Sequence, residues 1–183
     1  MRRALDRLYA AALWLAALAI LGIVAVVCAQ VALNALARIG GPALSFTIPS
    51  YADFAGFLLA GASFLALGPT LIAGGHIRVT LVLAHLPERL AWIAELLTLA
   101  LGLVLALTAT RFMAGLALES WQFGDRSPGI VPVPLWLPQS VCVLGLAILA
   151  VAFADLAVQA LARRRRVVPD ASAAPATPPE ESR

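Results

Sequence analysis

Between Leu8 and Ala37 the chain carries no charged residue. A run of that length constrains everything else, because about 20 predominantly apolar residues in helical form already cross the hydrocarbon core of a bilayer. A helix satisfies its own backbone hydrogen bonds, which is what lipid demands of any segment that spans it. The rest of the sequence has the same character. Of its 183 residues, 62% are hydrophobic and 13% charged, against about half and about a quarter in soluble domains. One domain with roughly four crossings is expected, and a second globular domain does not fit.

The first span is predicted over 8–33. A secretory signal is the rival reading, since Arg2 and Arg3 precede the run and Val27-Cys28-Ala29 resembles a cleavage site. Its apolar region would be only about 7 to 15 residues, and this one is longer. Gly40, Gly41, Pro42 and Pro49 then break the helix. Ser50 followed by Asp53 has the spacing of a capping box, which starts a second span at 54–73. Gly56, Ala60, Gly61 and Ala62 offer a close-approach surface there, either to a partner or within the chain, and Gly68-Pro69 should bend the helix.

His76, Arg78, His85, Glu88 and Arg89 crowd the next stretch, so it is read as an interfacial connection. Only 15 residues separate Glu95 from Arg111, about 22 Å of helix. The third span, 91–113, therefore places both near its ends, with Arg111 snorkelling outward. Residues 114–138 hold Gly124, Pro128, Gly129, Pro132, Pro134 and Trp136 and are read as a loop with tryptophans at the membrane boundary. The last span is 137–157, with Asp155, Gln159 and Arg163 on one face of its end. Residues 167–183, rich in Pro, Ala and Ser, are expected to be a disordered cytoplasmic tail.

All 13 basic residues are arginine. Placing both termini in the cytoplasm puts Arg2, Arg3, Arg7, Arg78, Arg89 and Arg163 to Arg166 inside, against Arg38, Arg111 and Arg126 outside, the asymmetry that the positive-inside rule requires. The arginines thus read as topology signals, and no nucleic-acid partner is implied. Chemistry is not visible. Cys28 and Cys142 have no nearby ligand set and read as buried packing, while His76 and His85 lack the spacing of a zinc motif. No catalytic, cofactor-binding or metal site is expected, so the chain is not read as an enzyme. The span centres carry no ionisable group of the kind that couples protonation to transport, which points to a helper of another protein's transport path or to a purely structural membrane protein.

Two stretches, GGHIRVTLVLAHLP from Gly74 to Pro87 and SPGIVPVPLWLPQSVCVLG from Ser127 to Gly145, resemble hallmarks of one group. The chain is similar to the small membrane subunit, the DctQ-like small permease, of tripartite ATP-independent periplasmic (TRAP) transporters, over about Leu8 to Arg166. Thr80 departs from the pattern, in which an acidic residue follows the Arg-Val pair. The resemblance implies an all-α protein of four transmembrane helices in the bacterial inner membrane. It would scaffold a much larger membrane subunit that performs sodium-coupled uptake of an organic acid, delivered by a periplasmic solute-binding protein. It also singles out Gly74, Gly75, His76, Arg78, Glu95, Pro134, Trp136, Pro138 and Gly145 as motif or interface residues. His76 and Arg78 either meet headgroups or fix the contact with the large subunit. Glu95 would serve Arg78 or Arg89, and Pro134, Trp136 and Pro138 would set the angle of the last helix. The alternative is a membrane scaffold or assembly protein without a transport role.

Overall fold

The computed structural model describes residues 2–41, 46–74 and 87–163. Four helices account for most of them: α1 (Arg2–Gly40), α2 (Tyr51–Ile72), α3 (Glu88–Phe123) and α4 (Trp136–Arg163). All four are long and apolar enough to cross a membrane. At 1.5 Å per residue α2 measures about 33 Å, close to the hydrocarbon thickness, whereas α1 and α3 reach about 58 and 54 Å. Those two must tilt or project.

The helices stand as a row in the order α1, α2, α4, α3. Neighbours in that row pack extensively, while α1 touches α4 only marginally. The core lies where α2 and α4 meet their neighbours and includes Tyr9, Ala16, Leu65, Leu99, Ile148 and Ala152. Small residues bring the central pair together. Gly145 of α4 lies against the Phe64 carbonyl group of α2, and a Cβ added there would sit 2.5 Å from its carbon. Gly61 and Gly68 of α2 face Val141 and Ile148 in the same way. The close-approach surface around Gly61 and Ala62 therefore serves packing within the chain, whereas Gly56 has nothing within 4 Å.

The chain ends the helices with glycine where a left-handed turn is needed. Gly124 (φ 68°) caps α3 and Gly74 (φ 74°) follows α2, its amide donating to the Leu71 carbonyl at 3.1 Å. A residue with a Cβ is strained in that conformation. α2 runs through Pro69 for three further residues, although Pro69 has no amide hydrogen to give the Leu65 carbonyl.

Three local expectations change. The stretch read as loop from Ala114 is helical to Phe123, because nothing between Leu116 and Phe123 breaks a helix and Gly124 is the first residue that stops it. Ser50 stands at the N-cap of α2 in a left-handed conformation (φ 56°) and makes no side-chain cap bond. Cys28 is exposed on the surface of α1, while Cys142 is buried.

Candidate functional site

The two ends of the helical row are built differently. At one end the amino-terminal turn of α1 meets the last turns of α4: an Arg2 Nη2 donates to Gln159 Oε1 at 3.0 Å. Both termini of the helical region therefore lie at the same end. α3 joins them there, since Trp92 Nε1 donates to the Ala160 carbonyl at 2.9 Å. One turn further along α3 is Glu95, a carboxylate only 3% exposed.

Of the residues singled out by the sequence at this end, Gly74 is buried behind α2 and Glu95 is buried on α3. Gly75, His76 and Arg78 lie outside the described residues, as do His85 and residues 164–183.

At the other end, residues 124–135 fold over the helix ends. An antiparallel bridge joins Arg126 to Pro134, with Ser127 N donating to the Val133 carbonyl at 2.9 Å and Leu135 N to the Asp125 carbonyl at 3.0 Å. The buried Ser127 hydroxyl accepts from Val133 N at 3.0 Å. Pro134 then turns the chain into α4, its carbonyl accepting from Leu137 N at 3.2 Å. Pro138 falls in the first turn of α4, where a missing amide hydrogen costs nothing. Trp136 meets Trp121 of α3 edge to face, with ring centroids 4.8 Å apart, a favoured aromatic geometry.

The structure thus brings Pro134, Trp136 and Pro138 together at one end, places Gly145 at the α2–α4 contact, and holds Glu95 near the opposite end. Two residues escaped the sequence reading. Gln30 is buried on α1, donates to Asn34 Oδ1 at 2.9 Å and accepts from Ile48 N at 2.8 Å, which anchors the α1–α2 connection. The helical spacing of Gln30 and Asn34 within an otherwise apolar run was the available signal.

A groove of about 590 Å³ opens between α1, α2 and α4, walled by residues such as Leu18, Phe57, Leu58, Leu137, Pro138 and Val141. Its walls are apolar, so it suits hydrocarbon or an apolar side chain and offers no polar group for catalysis. Among the described residues no cluster of His, Cys, Asp or Glu is placed to hold a metal ion.

No curated protein and no solved structure matches this chain. A family model described as "Tripartite ATP-independent periplasmic transporters, DctQ component" matches residues 23–163, a stretch that takes in all of α2, α3 and α4 and most of α1. The chain belongs to that family and is a small permease subunit of the TRAP transporter type.

Proposed function

We propose that this subunit scaffolds a large multi-spanning membrane subunit, which performs sodium-coupled uptake of an organic acid handed over by a periplasmic solute-binding protein. Both termini would face the cytoplasm of a bacterium, with the chain in the inner membrane. The observation that carries the reading is the open row of helices. α1 and α3 stand at its two edges, each packed mainly against a single neighbour, and both present large apolar side chains outward along their length. Such edges join a wider wall of helices naturally. The groove is walled by apolar side chains among the described residues, which suits a static support better than an independent carrier. Orientation rests on the arginine asymmetry together with the meeting of Arg2 and Gln159 at one end.

Under this reading His76 and Arg78, at the cytoplasmic side, fix the contact with the large subunit. Affinity purification from native membranes in mild detergent tests it. Stoichiometric recovery of one large multi-spanning protein is expected, with loss of organic-acid uptake when this chain is deleted. A chain recovered alone sinks the proposal, and recovery of the partner with unchanged uptake leaves a scaffold without a transport role.

A further inference from the structure

The helix contacts set the register of Arg111 against α4. Trp121 and Trp136 meet at 4.8 Å, and ten residues from each along the antiparallel pair lead to Arg111 on α3 and Leu146 on α4. From the other direction, the Phe153 ring lies directly against Gly102, and nine residues from each lead to Arg111 and Leu144. Both counts put Arg111 opposite 144–146, the middle of the uncharged stretch of α4 from Leu137 to Ala154.

The surroundings of Arg111 on its own helix agree. α3 continues for three turns beyond it, and Phe112 and Leu118 there are 75% and 61% exposed. The next charge is Glu119, eight residues on and about 12 Å along the axis. Glu95 and Glu119 bracket 23 residues, about 35 Å, which fits the hydrocarbon thickness with modest tilt where the Glu95–Arg111 interval does not. Arg111 is exposed on the outside of the bundle and makes no hydrogen bond or ion pair with a described residue. It is a cation at hydrocarbon depth, and such residues are costly unless something neutralises them.

Two anions are available: a lipid phosphate at the nearer surface, or a carboxylate at the same depth. The helix direction decides between them. Each Cα–Cβ bond of a helix tilts toward its amino-terminus, and the amino-terminus of α3 is the far end. The Arg111 side chain thus starts out away from the nearer headgroups, so snorkelling must reverse it. A carboxylate beside it meets the guanidinium fork without that reversal and in bidentate geometry. We propose that Arg111 is an intramembrane docking cation that pairs with an Asp or Glu on a transmembrane helix of the large partner subunit. The proposal rests on the subunit reading above and deepens it, by naming the face of α3 that the partner covers and the chemistry it brings.

The test compares the wild-type chain with Arg111→Glu and Arg111→Leu, each purified from native membranes in mild detergent. Arg111→Glu should lower recovery of the multi-spanning partner at least tenfold, and exchange of one intramembrane Asp or Glu of that partner for Arg should restore it. Purified alone, Arg111→Leu should melt no lower than wild type, since it only removes a charge from an apolar surface. Undiminished recovery with Arg111→Glu overturns the proposal, as does a loss that no charge exchange restores. Co-purified anionic lipid that disappears from Arg111→Leu while the partner remains assigns the cation to lipid phosphate instead, which also overturns it. If the wild-type chain brings down no multi-spanning protein, the subunit reading itself has failed.

Discussion

The Ser50 hydroxyl accepts a hydrogen bond from the Val131 amide at 2.8 Å across 81 residues of sequence, fastening the turn before α4 onto the start of α2. Gly129 lies in the same contact: a Cβ there would overlap the Asp53 carboxylate and sit 2.5 Å from Ser50 Oγ. Gly129→Ala must push the Asp53 and Ser50 side chains aside or lift the turn, and overpacking of this kind costs about 1–3 kcal/mol. Ser50→Ala removes one hydrogen bond, a loss of about 1 kcal/mol. Thermal unfolding of the purified chain in detergent should rank wild type above Ser50→Ala, and Ser50→Ala at or above Gly129→Ala. Equal melting of Gly129→Ala and wild type would show that the turn does not sit on α2.

Gly145 presses on the Phe64 backbone and its Cβ, so neither partner can rotate out of the way. Gly145→Val should separate α2 from α4 and lower stability by a few kcal/mol. Gly56→Ala and Gly115→Ala are the controls, because a Cβ at either position meets nothing within 4 Å, and replacing a helical glycine by alanine is favourable by roughly 0.5–1 kcal/mol. The expected readout is a drop in melting temperature for the first and a small rise for the other two.

Much of this fold is legible in the sequence because lipid leaves few options. Apolar segments of about 20 residues with few charges become helices, and the four segments read as spans appear within four helices. The proline-rich turn before Trp136 likewise reads as a break from its residue types alone. The misreadings share one cause, which is that pattern is local and contact is not. The stretch after Met113 looks like a loop, whereas α3 continues to Phe123. Ser50 and Asp53 look like a capping box until Val131 arrives from another part of the chain. Cys28 looks buried because its run is apolar, yet in a row of helices an apolar residue faces outward as readily as inward.

Trp92 ties α3 to the end of α4 through its indole N–H, which donates to the Ala160 carbonyl at 2.9 Å. Trp92→Phe keeps most of the ring and removes the donor, and should cost about 1 kcal/mol. Limited proteolysis should then cut faster at the Arg163 end of α4, with the Trp136 end unaffected. Protection equal to wild type would mean that packing of Ala91 and Leu99 holds this end without the hydrogen bond.

Tyr9 is buried where α1 crosses the core, 7% exposed, and its hydroxyl has no hydrogen-bond partner among the described residues. Neither Asp6, one turn earlier on α1, nor Asp155 of α4 accepts its proton in this arrangement. A buried polar group left unpaired costs about 1–3 kcal/mol, whereas the ring itself packs in the core with Ala12 and Leu156. Tyr9→Phe keeps the packing and removes the orphaned group, so it should raise the melting temperature. Tyr9→Ala should lower it by the equivalent of about 3–5 kcal/mol, the usual cost of deleting a buried aromatic ring. A fall in melting temperature for Tyr9→Phe, abolished when Asp155→Asn is present in the background, would show instead that the hydroxyl swings onto Asp155 and helps hold α1 against α4.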